Sequence, residues 1–542
     1  MILRLVREHA AALALGFAAV HFALVWLTLQ PAPHTGGDNA AYITLARSLL
    51  ERGAYLSLWD PAAPLHTQYP PGFPLILAAA LLLGVQPWVG LKLVIGLLSA
   101  SAVALTFLWL RRRTRPGLAL GVTTVVALAP GVLEQAHWVL SDVPFWALTM
   151  LALWAFERLP PSHRGRLAVA VVATLVAYFT RSAGLPLVLA AAGWLALRGR
   201  WRALGILAAV VGVPAFLWWL RARGAGGVDY VSQFWMVNPY EPHLGRMGVG
   251  DFIQRVVDND RKYLTLHLPI LLTLRTGTLL TMLAMATAVL AVFGWVARLR
   301  RPAVAELFLP LYVGLLLVWP QVWSGERFLL PALPLLLAYA GEAFARAARA
   351  VRPDAGRWAG GVAVALLVLL GLPGLNAAAR AGMACTADWR AGDRWACLPL
   401  EWRDFLGLAE WARDGLPEDA VVLSRKPRLF HLVSGRPGQV YPFTPYANDL
   451  FAAVDQAGAG YVVLDRVDAM GDIYLTPAIL ERTTAFCILR SSGPEGAAIL
   501  GVRRGVPPDG DLMEEPGVVS FPVCDATYYA SPEARERALE VF

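Results

Sequence analysis

The sequence predicts a polytopic α-helical membrane protein with an α/β domain at its C-terminal end. Three observations carry this. Apolar segments of spanning length recur up to about residue 376, arginines collect in the short junctions between them, and all four cysteines lie beyond the last one. The composition agrees: 57% of the 542 residues are hydrophobic and only 16% are charged, where soluble domains carry about 25% charged residues. A mean hydropathy of +0.53 requires many apolar spans, each of roughly 20 residues, rather than one anchor.

The arginine clusters order the spans. Arg4/Arg7, Arg111-Arg112-Arg113/Arg115, Arg158/Arg164/Arg166, Arg198/Arg200/Arg202, Arg298/Arg300/Arg301 and Arg346/Arg349/Arg352/Arg357 all sit beside apolar segments. Placed together in the cytoplasm, as the positive-inside rule directs, they divide the chain into about 11 transmembrane helices. The expected spans are roughly 10–30, 89–110, 117–133, 143–158, 167–181, 184–198, 203–220, 276–297, 303–320, 327–346 and 358–376. The apolar run Pro74–Val85 is about twelve residues, too short to cross, and is expected to form a juxtamembrane or re-entrant helix on the outer side. The N-terminus then lies in the cytoplasm and the C-terminal domain outside it. The basic N-terminus is followed by an apolar run too long for a signal peptide, so it reads as a retained first span.

The expected domains are 1–376, a transmembrane domain with outer loops 31–74 and 221–275, and 377–542, an extracytoplasmic α/β domain. The second loop ends in a segment, Asp251 to about Leu266, with amphipathic helical spacing. In the last domain, Glu401–Arg413 has helical periodicity and Pro417 ends it. Ala420–Ser424 and Tyr461–Asp465 read as strands, and Ser492-Gly493-Pro494-Glu495-Gly496 as a hairpin turn. An even cysteine count confined to an outer domain fits disulfides in an oxidising compartment. Spacing does not fix their connectivity; Cys385–Cys397 with Cys487–Cys524 is the favoured pairing. No Cys-x-x-Cys pair suggests a zinc site, and there is neither a GxGxxG nor a GxxxxGK[ST] fingerprint.

The net charge of +8 is spent on the span junctions and forms no basic face with interleaved aromatics, which excludes a nucleic-acid partner. Basic residues are almost all arginine, with only Lys92, Lys262 and Lys426 as lysines, a bias expected of a GC-rich bacterial genome. Charges are costly at a membrane, so those that remain need a role. On this topology Asp38, His66, Lys92, Asp142, Arg181, Glu326 and Arg327 all fall at the outer surface, as one outward-facing site would require. A transporter or flippase for lipid-linked substrates, the alternative class, would place charges near the midplane, where the spans are nearly free of them. A scaffold whose outer domain does the work has no need for such a cluster.

Four motifs, taken in order and on one side, resemble those of the GT-C glycosyltransferases, polytopic enzymes that use polyprenyl-phosphate sugars. Gly37-Asp38-Asn39-Ala40-Ala41-Tyr42 opens the first outer loop. Tyr69-Pro70-Pro71 follows before the short helix. Leu140-Ser141-Asp142-Val143-Pro144 and Gly325-Glu326-Arg327-Phe328 stand at outer span starts. The resemblance covers about residues 1–350 and is greatest to the aminoarabinose (lipid A) transferase and protein O-mannosyltransferase branch.

The resemblance implies an inverting transfer of a hexosyl or pentosyl group from a polyprenyl-phosphate donor to a lipid, glycan or protein acceptor on the outer face of the cytoplasmic membrane, among membrane lipids. It carries over Asp38 as the catalytic base, a role a carboxylate suits; the competing reading makes Asp38 the N-cap of a helix from Asn39 to Leu50. Arg327 is the first choice for the donor phosphate, since a guanidinium grips phosphate oxygens bidentately, with Lys92 and Arg181 behind it. The latter two are equally read as headgroup contacts. Tyr42, His66, Tyr69, Asp142 and Glu326 are candidates for the substrate and sugar pocket, set against interfacial aromatics and a helix cap. Where the O-mannosyltransferase branch has an Asp-Glu pair, Asn39 follows Asp38 here. That argues against protein O-mannosylation and leaves open whether a divalent cation is held by Asp38 and Asp142.

Overall fold

A computed structural model describes residues 8–157, 159–160, 163–224, 230–353, 355–493, 496–505 and 521–539. Arg4, Arg7, Arg158 and the hairpin-turn residues Pro494 and Glu495 lie outside the described residues. The chain divides into two compact units, residues 1–31 with 67–392 and residues 32–66 with 393–542.

In chain order the principal helices are α1 (Ala10–Leu27), α2 (Gly37–Arg52), α3 (Gly72–Leu82), α4 (Val89–Arg113), α5 (Pro116–Leu128), α6 (Pro130–Gln135), α7 (Asp142–Phe156), α8 (Arg164–Thr180) and α9 (Leu185–Leu197). They continue with α10 (Trp201–Arg223), α11 (Val249–Lys262), α12 (Leu268–Thr273), α13 (Thr278–Val296), α14 (Val304–Val318), α15 (Leu333–Val351), α16 (Ala355–Arg390), α17 (Leu400–Gly415), α18 (Pro427–Ser434), α19 (Ala447–Ala457) and α20 (Pro532–Leu539). Each expected span overlaps described helix, 117–133 overlapping two. By length and composition, α1, α4, α10, α13 and the Trp358–Arg390 part of α16 are able to cross a membrane, and α3, α5, α7, Ser182–Leu197 and α14 are shorter apolar helices.

The departures from expectation follow from prolines and helix propensity. The expected span at 117–133 is two helices because Pro130 cannot continue the first and starts the second. The expected start at 327 moves to Leu333 because Glu326–Leu329 is a 3₁₀ turn. Past the expected end at 376, the Ala-rich stretch runs on as helix to Arg390. The first unit accordingly extends to Gly392, and residues 32–66, expected to go with the membrane helices, group with the C-terminal residues.

In the first unit α1 packs on α4, α4 on α7, α7 on α8, α9 on α14, and α13 on α15. A Cβ at Gly294 of α13 would stand 2.0 Å from the Tyr339 carbonyl oxygen of α15, so only glycine admits this approach. Acids answer the arginines of the junctions. Arg113 meets both Glu306 and Glu157, the latter at 2.7 Å, and Tyr339 donates to Glu306 at 2.8 Å. Arg298 pairs with Glu342. The sequence reading found few acids here; these three are the missing partners. His21, a buried ionisable group among the spans, is satisfied through Nδ1 to the Ala127 carbonyl and Nε2 to Ser99, both at 2.8 Å.

The second unit is α/β. Its strands are β1 (Val422–Leu423), β2 (Gly438–Gln439), β3 (Tyr461–Leu464), β4 (Phe486–Ser491) and β5 (Ala498–Val502), in the order β2-β1-β3-β5-β4. β2, β1 and β3 are parallel, while β5 is antiparallel to both β3 and β4. Leu423, Leu450, Val454, Val462, Ile479, Phe486 and Leu500 form the core on one face. Cys487 and Cys524 are bridged, and none of the four cysteines is free. α17 packs on α18, and α18 packs on α2, so the first loop's helix is part of this unit's helical layer.

Candidate functional site

The residues singled out from the sequence gather in two clusters, one in each unit. In the first unit, Asp142 occupies the first turn of α7, where the helix dipole favours an anion. Arg181 stands just past the end of α8. Its Nη1 is 2.8 Å from Asp142 Oδ1 and donates to Ser141 Oγ at 3.2 Å. Arg327 Nε lies 4.0 Å from the other carboxylate oxygen, which is buried and accepts no hydrogen bond. The Phe328 ring lies under both guanidinium groups, at 4.5 Å from Arg181 and 5.0 Å from Arg327. The turn carrying Arg327 is pinned by Tyr312, whose hydroxyl donates to the Phe328 carbonyl at 2.8 Å.

Glu326 extends this cluster through residues the sequence reading passed over. His267 Nδ1 is 3.3 Å from Glu326 Oε2, and Gln135 Nε2 donates to Oε1 at 3.5 Å. His267 ends a π-helical turn, Tyr263–His267, that continues the amphipathic α11. The signal available in the sequence was that helix, which was expected to end at Leu266, one residue short. Burial pushes the Glu326 carboxyl up, but the hydrogen bond from His267 and the charge on Arg327 more than reverse it, so Glu326 titrates below its ordinary value. Of the other candidates in this unit, Lys92 is buried and donates to the Gln30 carbonyl at 2.6 Å, and Tyr69 is buried.

In the second unit, Asp38 lies in the first turn of α2, whose N-cap is Gly36 in extended conformation. The alternative reading of Asp38 as the N-cap is therefore corrected: the helix begins one residue before it and Gly36 is its N-cap. Asp38 Oδ1 is 3.7 Å from Arg428 Nη1, the second residue of α18. Arg428 lies over the Trp59 ring at 5.0 Å, and His66 meets the other side of this aromatic group, edge-on to Trp59 and Tyr55 at 5.5 Å each. His66 Nδ1 is 2.9 Å from Ser57 Oγ. Asn39, the residue that departs from the family pattern, turns inward: its amide donates to the His34 carbonyl at 2.8 Å. Tyr42 is buried on the same helix. Arg428 stands four residues past the expected strand Ala420–Ser424 and was not among the candidates read from the sequence.

The donor set does not fit a bound divalent cation. Among the described residues no three His, Cys, Asp or Glu side chains gather as a cation site needs, and Asp38 and Asp142 each face an arginine.

No family model matches the chain, and no curated protein does. Solved structures do. The oligosaccharyltransferase of Archaeoglobus fulgidus, tethered to an acceptor peptide containing the NVT sequon, aligns with a TM-score of 0.55 at 13% identity, over 91% of this chain and 74% of its own. ArnT from Cupriavidus metallidurans bound to undecaprenyl phosphate aligns with a TM-score of 0.53 at 14% identity, over 91% of this chain and 98% of its own. The archaeal AglB in complex with an inhibitory peptide and a dolichol-phosphate gives 0.54 at 12% identity, over 92% and 75%. At these identities the likeness is one of fold.

Proposed function

The chain has the GT-C glycosyltransferase fold, and from that premise we propose that it is an inverting glycosyltransferase using a polyprenyl-phosphate sugar. The observation that supports it most is Asp38: a carboxylate in the first turn of a helix, side chain 41% exposed, with a guanidinium 3.7 Å away. In this reading an acceptor hydroxyl or amine attacks the anomeric carbon. The bond from that carbon to the phosphate oxygen breaks, and polyprenyl phosphate leaves with the electron pair. The acceptor's proton passes to Asp38, and a single displacement inverts the anomeric centre. Arg327, with Arg181 and Lys92, supplies the positive charge that the leaving phosphate requires. The solved ArnT and AglB hold undecaprenyl phosphate and dolichol-phosphate, which supports a lipid-phosphate donor. The arginine junctions support a cytoplasmic membrane with the C-terminal domain outside, and acceptors in the cell envelope.

The test uses the full chain in lipid with a panel of undecaprenyl-phosphate-linked hexoses and pentoses and extracted envelope acceptors, reading release of undecaprenyl phosphate. Asp38→Asn is expected to stop release while the protein still folds. Unchanged release removes Asp38 as the base. A reporter fused after Phe542 checks the sidedness: it is expected to be active outside the cytoplasm.

A further inference from the structure

We propose that Arg428 is a positioning residue for Asp38: the C-terminal unit supplies the guanidinium that keeps this carboxylate ionised and aimed. This rests on the reading of Asp38 as the base. Asp38 and Arg428 are separated by most of the chain, yet they face each other at 3.7 Å within one compact unit.

Arg428 is held in place from several directions. α18 starts directly after β1, with Pro427 at its first position and Arg428 next. Trp59 provides a ring face at 5.0 Å, and a cation over an indole is attracted by its quadrupole. Trp59 is itself fixed, since its carbonyl accepts from the Gly438 amide at 2.7 Å. Beside it Gln439 donates to Asp60 at 3.3 Å. The aliphatic stem of Arg428 crosses Gly37, where an added Cβ would sit 3.9 Å from its Cδ. Pairing along the Ser424–Arg428 run is selective. Arg425 Nε lies 2.8 Å from Asp468 and Lys426 Nζ 3.6 Å from the same oxygen, whereas Arg428 is directed to Asp38.

Exposed pairs of this kind add little to stability, and the side chains here are 24% and 41% exposed. The effect expected is on protonation and direction. A guanidinium within about 4 Å favours the ionised carboxylate, so Asp38 stays ready to accept a proton at lower pH. The other titratable and charged groups on the elements around it are His34 and His66 in the loops flanking α2 and His431 on α18, while Arg47 and Glu51 stand further along α2, roughly 14 and 20 Å away. His431 is neutral, held down at about 4 by burial.

Carbodiimide labelling of the full chain in lipid nanodiscs, read at Asp38 by mass spectrometry across pH, tests this without a substrate, because the reagent attacks protonated carboxyls. Arg428→Ala is expected to raise the labelling midpoint by about half a pH unit, roughly a threefold change in rate on the flank. Arg428→Lys should restore most of it, and Trp59→Leu should give a smaller rise. The acidic limb of the turnover profile should move with the midpoint. An unchanged midpoint in Arg428→Ala, with the chain folded, overturns the proposal. Turnover that survives Asp38→Asn, with the labelling shift present, would instead overturn the base assignment alone.

Discussion

In each unit an aspartate faces arginine, but the two pairs sit at different depths. Asp142 is 5% exposed, has Arg181 at 2.8 Å and Arg327 at 4.0 Å, and shares Phe328 with both. Asp38 is 41% exposed and sees Arg428 at 3.7 Å. The first carboxylate is committed: removing it would take the shared acid from two half-buried guanidinium groups. The second is accessible, which a proton acceptor in turnover has to be. The same residue types therefore divide into a buried carboxylate that orders Arg181 and Arg327 and an accessible one beside Arg428.

Paired substitutions can break this contrast. Asp38→Asn is expected to lower turnover by about two to four orders of magnitude, the usual worth of a general base, with stability unchanged within about 0.5 kcal/mol. Asp142→Asn is expected to lower the melting temperature of the solubilised chain, and to lower turnover through the arginines it orders. Breaking a buried pair costs about 3–5 kcal/mol. The guanidinium groups here are 19% and 22% exposed, which reduces the expectation to about 2 kcal/mol. If Asp142→Asn melts like the parent chain and loses all turnover, Asp142 belongs with the chemistry and the contrast fails. A smaller effect, about 1 kcal/mol, is expected for His267→Ala, which leaves Glu326 with Gln135 and Arg327. The same melts read it.

The helical half was legible because its signal is one-dimensional. Runs of apolar residues between arginines place the helices, and Pro130, the 3₁₀ turn at Glu326 and the Ala-rich end of α16 moved boundaries; among the described residues five of these helices are long and apolar enough to cross a membrane. The gathering of Asp142, Arg181, Glu326 and Arg327 was legible too, since all four stand at ends of segments assigned to one side. Three-dimensional facts were not. That α2 would pack on α18 depends on a hydrophobic face meeting a partner far along the chain, and no period or spacing records that. His267 was hidden because it lies one residue past the expected end of the amphipathic helix. Glu157, Glu306 and Glu342 were overlooked because a lone acid within an apolar run has no visible partner until the helices pack.

Asp465, in the same unit as Asp38, gives the smallest and most specific comparison. It follows β3, is 1% exposed, and accepts from the Val467 amide at 3.2 Å through Oδ1. Its Oδ2 is buried without a hydrogen bond. Burial pushes its carboxyl up to about 7, and Asp468 adds to this while Arg425 opposes it. Asp38, exposed beside a cation, is expected to behave in the opposite sense. Between the ordinary carboxylate range and about 7 the folded chain holds a proton on Asp465 that the unfolded chain has released. Stability from this group is present at low pH and is lost as pH rises through that window. The parent chain should therefore melt lower at pH 8 than at pH 5 by a component that Asp465→Asn removes. With Arg425 offsetting part of the charge, that component is expected to be about 1 kcal/mol, or roughly 2–4 °C. A melting profile whose pH slope is the same in Asp465→Asn and the parent would show that Asp465 is ionised throughout, and that its depth does not set it apart from Asp38.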